Sequence, residues 1–294
     1  MPAQILDGNA FAAEIRNEVS AQIAAHTHSH GPIRLVSVLV GDNPAALIYA
    51  ESQKKRCLQA GILHDLLQLP DDIGQAQLLA EIDRLNHDAT VTGIMVHLPL
   101  PTWIDAATVQ YRIDPYKDVE GVNPANIGLL FYDEPIIAPC TALAVDEMIR
   151  RSGVQVYGAN AVVVGQSRIV GRPVTMFLTT QMATVTACHA ATRDLAAFTR
   201  TADILVVAVG KARLVGGAMI KPGALVIDVG INSIREKNAA GEEVRRTVGD
   251  VDFDSAVQVA GHITPVPGGV GPLTVAMLLR NTVLAASKQL DRRL

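Results

Sequence analysis

Two glycine-rich stretches of this 294-residue chain have residue types and spacing that could do chemistry. Near the C-terminus, Thr264-Pro265-Val266-Pro267-Gly268-Gly269-Val270-Gly271-Pro272-Leu273-Thr274 packs three prolines and three glycines into eleven residues. Proline fixes φ and removes an N–H donor, while glycine lets a ligand approach the main chain. The stretch therefore reads as a rigid wall, poor in side chains and suited to a flat ring; alone it would read equally as a tight loop before a last helix. The second stretch, Val164-Gly165-Gln166-Ser167-Arg168-Ile169-Val170-Gly171-Arg172-Pro173, follows a β-branched run with the character of a strand buried in a parallel sheet. Its G-x-S-x-x-x-G spacing departs from the dinucleotide fingerprint by placing Ser167 where a middle glycine would stand. A pyrophosphate there would be held by backbone N–H groups and by the dipole of the helix expected after Gly165.

Periodicity outlines the elements that must position these loops. Residues 183–188, 204–210 and 225–231 are further short apolar runs between helix-like or turn-like stretches, the rhythm of a doubly wound parallel sheet. In the first half, Asp7 and Asn9 are capping types ahead of an apolar stripe at Phe11, Ala12, Ile15, Val19 and Ile23, which predicts a first helix. His26-Thr27-His28-Ser29-His30 then reads as a solvated loop before Gly31-Pro32 rather than as a metal site, because no carboxylate or cysteine accompanies it. A strand over 34–40 is stopped by Gly41-Asp42-Asn43-Pro44, and a helix over 45–60 carries Tyr49, Gln53, Lys54 and Lys55. A strand over 62–69, a helix over 75–85 and a strand opening 93–101 follow, the last ending in a proline-stiffened tip. Functional candidates thus fall at strand ends and on the loops beyond them, where open α/β sheets bind ligands. Residues 124–139 read as a connector and 141–151 as a helix leading into the second half.

Composition narrows the partners. With 49% hydrophobic and 18% charged residues the chain reads as globular, with ample core for two domains. A formal net charge of −4 offers no general attraction to nucleic acid or to an anionic membrane, which leaves a small molecule as the expected partner. Cys57, Cys140 and Cys188 are widely spaced and form no C-x-x-C pair, so neither a disulfide framework nor a zinc site is expected, and the compartment reads as reducing. Asp7 and Glu14 interrupt the N-terminal apolar segment, and no run of eighteen apolar residues occurs. The expectation is a soluble cytoplasmic protein.

Several stretches taken together resemble one family, the bifunctional methylenetetrahydrofolate dehydrogenase/cyclohydrolases often called FolD. They are Val40-Gly41-Asp42-Asn43-Pro44-Ala45 with Tyr49, Val96-His97-Leu98-Pro99-Leu100-Pro101, Lys117-Asp118-Val119-Glu120-Gly121, the loop 164–173, Val226-Ile227-Asp228-Val229-Gly230-Ile231-Asn232 and the proline-glycine wall, in the family's order. The resemblance implies two α/β domains flanking a cleft. A folate-side domain would span 1–139 and be completed by a last helix over 271–294, and a Rossmann-type, doubly wound NAD(P) domain would span 140–270. It implies a homodimer and no metal. It also implies folate contacts at Tyr49, Leu98, Pro99, Leu100, Asp118, Pro267, Gly268 and Gly269, and nucleotide contacts at Gly165, Gln166, Ser167, Arg168, Ala190, Gly210 and Ile231. Ala190 and Ala191 carry no acid to favour a free ribose hydroxyl, and Arg168, Arg172 and Arg193 are candidate phosphate partners. With family habit this leans to NADP, with NAD as the alternative.

The chain departs from the family at its reaction centre. The family's lysine four residues after the helix tyrosine is Gln53 here, its glutamine before Leu-Pro-Leu-Pro is His97, and its second aspartate in Lys-Asp-Val-Asp-Gly is Glu120. Oxidation of the methylene bridge is hydride loss assisted by the flanking folate nitrogens and chiefly needs positioning. Hydrolysis of the methenyl cation needs a group that gives and takes protons, which a buried lysine can be and a glutamine cannot. Lys54 lies about 140° round the helix from Tyr49 and should point away. The expectation is therefore an NAD(P)-dependent dehydrogenase whose cyclohydrolase activity is lost or reduced, with Tyr49, Gln53, His97 and Glu120 at the centre. The alternatives are a fully bifunctional enzyme in which His97 replaces the base, a non-catalytic folate or nucleotide sensor, and a dehydrogenase of another small substrate that shares only the nucleotide half.

Overall fold

The structure, a computed structural model, describes residues 2–237 and 242–292, apart from the side chains of Ala45, Tyr49 and Lys237. The chain opens with a two-residue strand, β1 (Gln4–Ile5), and the Asp7 carboxylate then accepts from the N–H groups of Asn9 and Ala10 to start α1 (Gly8–His30). The predicted histidine loop is the last turn of this helix. His26 and His30, four residues apart, stack on one face with ring centroids at 5.0 Å, a helical pairing disguised by the alternation of histidine with small polar residues. Two compact units follow from the contacts of the chain, one of residues 13–140 with 276–294 and one of 1–12 with 141–275.

In the first unit β2 (Arg34–Val40), β3 (Leu63–Leu69) and β4 (Gly93–Val96) form a parallel sheet in the order β3-β2-β4. Parallel pairing demands crossovers, supplied by α2 (Pro44–Ala60) and α3 (Gln75–His87). The register pairs Leu35 with His64 and Ser37 with Met95. Because side chains alternate along a strand, Ser37, His64 and Met95 share one face. The opposite face, with Val36, Val38, Ile94 and Val96, packs on Leu78 and Ile82 of α3 and on Val109 of α4 (Ala106–Arg112). One face is thus a dry core and the other carries polar groups. The stretch expected as a connector contains α5 (Pro124–Phe131), which has Pro124 in its first turn and Asn123 as its cap.

The second unit begins with α6 (Cys140–Ser152) and continues through β5 (Asn160–Val164), α7 (Gly171–Thr180), β6 (Thr184–Cys188), α8 (Leu195–Thr199), β7 (Ile204–Val207) and β8 (Leu225–Asp228). A hairpin of β9 (Asn232–Lys237) and β10 (Glu243–Val248), then α9 (Phe253–Ala256) and β11 (His262–Ile263), complete it. Its six-stranded sheet has the order β1-β11-β8-β7-β5-β6, and every pairing is parallel. The chain runs from β5 outward to β6 and then crosses back to β7 on the other side, so the winding reverses between β5 and β7. α10 (Val270–Asp291) starts in this unit, and from Ala276 on it belongs to the first. There Asn281 Nδ2 donates to the carbonyls of Val119 and Ala138, both at 2.9 Å.

Candidate functional site

Helix α2 and the three strands bring polar groups to one face of the three-stranded sheet. Gln53, on the inner side of α2, is 5% exposed; its Nε2 donates to Met95 Sδ at 2.8 Å and its Oε1 accepts from Ser37 Oγ at 3.4 Å. Ser37 Oγ lies 2.8 Å from His64 Nε2. Lys54, the next residue, turns away and sits 4.0 Å from Glu51. His97 continues β4, its N–H donating to the Val38 carbonyl at 2.9 Å, and its ring is buried. Burial holds both imidazoles below the ordinary histidine range, and His64 depresses His97 further. Glu120 is pushed up to about 8, first by burial and then by the neighbouring Asp118, against the opposing pull of the Val96 N–H. At neutral pH this face is consequently a set of uncharged donors and acceptors.

Asp118 has a different place from the folate contact expected of it. It is fully buried, and its carboxylate accepts from Gly121 N at 3.1 Å, Asn123 N at 2.7 Å and Asn126 Nδ2 at 3.1 Å. A carboxylate so enclosed shapes the turn that presents Glu120 and has no surface left for a ligand. Lys117, also buried, donates to the carbonyls of Leu85 and Asp88 at the end of α3. Beyond His97 the tip turns at a cis Leu98-Pro99 bond, with Leu98 and Pro99 exposed and Leu100 half-buried. Tyr49 belongs to α2 by its backbone, one turn before Gln53, and its side chain lies outside the described part.

In the second unit the candidates collect where the winding of the sheet reverses, the position at which open α/β sheets bind ligands. Gly165 takes φ of 100°, and a Cβ there would lie 2.0 Å from the Ala208 carbonyl oxygen; one on Gly171 would lie 1.8 Å from the Gly165 oxygen. Loop 165–171 is thus a main-chain cradle closed to side chains. The helix begins at Gly171, with Pro173 in its first turn, after the loop makes a full turn of its own: Ser167 Oγ accepts from Val170 N at 3.2 Å, and Gln166 Nε2 donates to the Val163 carbonyl at 3.2 Å. Arg168 is exposed beside it, and Ala190 is exposed on the loop after β6.

Gly210 is held by a residue that motif reading passed over. The buried Asp250 carboxylate accepts from the N–H groups of Val209, Gly210 and Lys211 at 2.6, 2.9 and 2.8 Å, and from Asn232 Nδ2 at 2.9 Å. Asp228, at the end of β8, accepts from Gly230, Asp250 and Val251 N–H groups and is raised to about 6 by burial. The proline-glycine wall lies beside it. A cavity of about 350 Å³ is lined by Asp228, Gly230, Ile231, Pro265, Pro267 and Gly269, and Gly8 N donates to the Gly268 carbonyl at 2.9 Å. Val266-Pro267 is cis, and Ile231 is 71% exposed.

Both halves match one family. Residues 6–120 fit the model of the tetrahydrofolate dehydrogenase/cyclohydrolase catalytic domain, and residues 139–290 fit that of the NAD(P)-binding domain. The chain belongs to the tetrahydrofolate dehydrogenase/cyclohydrolase family. It is 49% identical over 290 residues to the bifunctional protein FolD of Bordetella avium (strain 197N), covering 99% of each chain. The methylenetetrahydrofolate dehydrogenase/cyclohydrolase FolD of Campylobacter jejuni is similar with a TM-score of 0.89 and 40% identity, covering 98% of this chain and 99% of that one. The FolD of Trypanosoma brucei, solved with NADP and an inhibitor, gives a TM-score of 0.90 and 39% identity, covering 99% of each. As a tetrahydrofolate dehydrogenase/cyclohydrolase relative the chain is an enzyme of one-carbon folate chemistry with an NAD(P)-binding domain. The match over 6–120 removes the alternative of a dehydrogenase that shares only the nucleotide half.

Proposed function

We propose that the protein oxidises 5,10-methylenetetrahydrofolate to 5,10-methenyltetrahydrofolate with NADP, and that its hydrolysis of the methenyl product is lost or much reduced. The carrying observation is the buried amide of Gln53 at the position where the resemblance expects a lysine. The bridge carbon carries two nitrogens that stabilise the cation left by hydride loss, so Gln53, His97, Leu98 and Pro99 have only to bind and orient the folate. Ring opening adds water, which must surrender a proton while the carbon–nitrogen bond breaks, and an amide can neither take nor return it.

The cradle of Gly165 and Gly171, which a Cβ would fill, suits a diphosphate, and the wall of Pro267, Gly268 and Gly269 offers main chain to a flat ring. Bound there, NADP supplies the hydride acceptor. Ala190, exposed and without an acid beside it, supports NADP over NAD, and comparing kcat/KM for the two nucleotides tests that preference. We read the working form as a cytoplasmic homodimer, on family resemblance.

The test of function is a paired assay on one preparation. NADPH should form from methylenetetrahydrofolate, and methenyltetrahydrofolate should decay at the uncatalysed rate. No NADPH would overturn the first clause, and decay well above background the second. One observation favours a bifunctional reading instead: His97 lies at the end of β4 on the face of Gln53, and burial keeps it in the neutral form, the form of an imidazole that can act as a base. Catalysed hydrolysis that vanishes in His97→Gln would establish it.

A further inference from the structure

The contact between Ser37 and His64 is explained by none of these roles. A serine on the middle strand of the sheet and a histidine on the edge strand are both buried, on the face toward Gln53, where burying polar groups is costly without full hydrogen bonding. Donor counting ties the direction of the chain they form to the tautomer of His64. Gln53 Oε1 only accepts, so the Ser37 hydroxyl gives its one hydrogen to the amide. With the amide in that orientation the 2.8 Å contact between Ser37 and His64 is one that His64 Nε2–H donates, so the tautomer of the imidazole and the orientation of the amide are tied to each other. The other end of the amide is committed in turn, with Nε2 donating to Met95 Sδ. Without the imidazole, Ser37 would be free to turn its hydrogen elsewhere, and the two ends of the amide, which are almost the same size, could exchange places.

We propose that His64 is a positioning residue for the folate centre, which acts through Ser37 to fix the end of the Gln53 amide that meets the one-carbon bridge. This rests on the reading of Gln53 as part of that centre. His64 touches no reacting atom; its effect is carried over two hydrogen bonds from β3 to β2 to α2. The sequence gives no motif for it, because serine and histidine stand 27 residues apart on different strands and meet only through the register.

The test uses full-length His64→Leu, Ser37→Ala, the double variant, His64→Gln and His64→Asn, each assayed for oxidation of methylenetetrahydrofolate. Each single variant should lose about tenfold in kcat/KM for the folate, and the double no more than about twofold beyond that, since both cut one chain. KM for NADP should stay unchanged throughout. His64→Gln, whose Nε2 reaches where the imidazole Nε2 stood, should recover to within about threefold of the unaltered protein. His64→Asn, one bond shorter, should not. Additive losses in the double variant, full activity in His64→Leu, or a glutamine as poor as leucine would each overturn the proposal. If His64→Leu does not fold, the glutamine and asparagine pair with Ser37→Ala carries the same comparison. Absence of any oxidation by the unaltered protein would overturn the functional reading first, and this one with it.

Discussion

Replacing Glu120 by glutamine tests the charge state of the centre through stability. The carboxyl is raised from the ordinary 4.5 to about 8 in the folded protein, chiefly by burial. Between those two pH values the folded chain holds a proton that the unfolded chain has released, so the stability it contributes is fully present below 4.5 and is lost as pH rises through 8. At about 1.4 kcal/mol per unit the whole window amounts to about 5 kcal/mol, of which about 3 kcal/mol falls between pH 6 and pH 9. Glutamine keeps the shape and removes the titration. Urea unfolding of both proteins at pH 6 and pH 9 should therefore show the stability difference moving by about 3 kcal/mol in favour of Glu120→Gln at the higher pH. Contributions of titrating groups that do not interact with Glu120 cancel in that difference. A gap equal at the two pH values, within about 0.5 kcal/mol, would refute the argument that Glu120 is a protonated, desolvated acid. The same reasoning makes oxidation by the unaltered protein fall above about pH 8, with the fall absent in Glu120→Gln.

Other substitutions probe the remaining parts. Gln53→Lys should raise methenyltetrahydrofolate hydrolysis by at least about tenfold, read as loss of methenyl absorbance, by restoring an amine able to carry protons. Gly165→Ala would drive its Cβ to 2.0 Å from the Ala208 oxygen at φ of 100°; NADPH binding, followed by fluorescence, should weaken more than about tenfold while folate binding holds. Asp250→Asn turns an acceptor of three N–H groups into an amide that must present its own donors to them; a loss of about 2 kcal/mol in stability and a weaker Kd for NADP are expected, by denaturation and titration.

Strands buried on both faces were easiest to read from sequence. β2 coincides with its predicted span, β5 is built on the β-branched run ahead of Gly165, and β7 and β8 take up the first four residues of the apolar runs 204–210 and 225–231. The β9–β10 hairpin escaped, because Arg235, Glu236, Arg245 and Arg246 leave no apolar run; its pairing is set by ladder bonds and by ion pairs of Glu236 with Arg213 and Arg246. β1 is two residues long and has meaning only beside β11. Site residues divide along similar lines. Gly165 and Gly171 are visible because close main-chain approach demands glycine, whereas Asp250 and His64 act across 40 and 27 residues of chain and leave no local trace. Asp118 sits in a recognisable motif, yet its buried carboxylate organises the turn, a task that the motif alone does not separate from ligand binding.

The three departures at the centre belong to one electrostatic arrangement. The resemblance expects a lysine at 53 and an aspartate at 120, which offer opposite charges to the same face. Removing only the cation would leave a buried carboxylate uncompensated, and an ion in that position costs more than most single contacts can offset. Glu120 meets the difficulty by holding its proton, since burial and the neighbouring Asp118 raise it. His64 and His97 answer the same constraint, both being kept on the neutral side of their ordinary range by burial. A face built from an amide, two neutral imidazoles and a protonated carboxyl does not repel a cation formed by hydride loss, since it presents no positive charge. It also presents no group whose protonation state changes readily at Gln53 itself. On the function proposed above, oxidation asks only for the first property and hydrolysis for the second, so the same substitutions that keep the centre electrically balanced would separate the two activities.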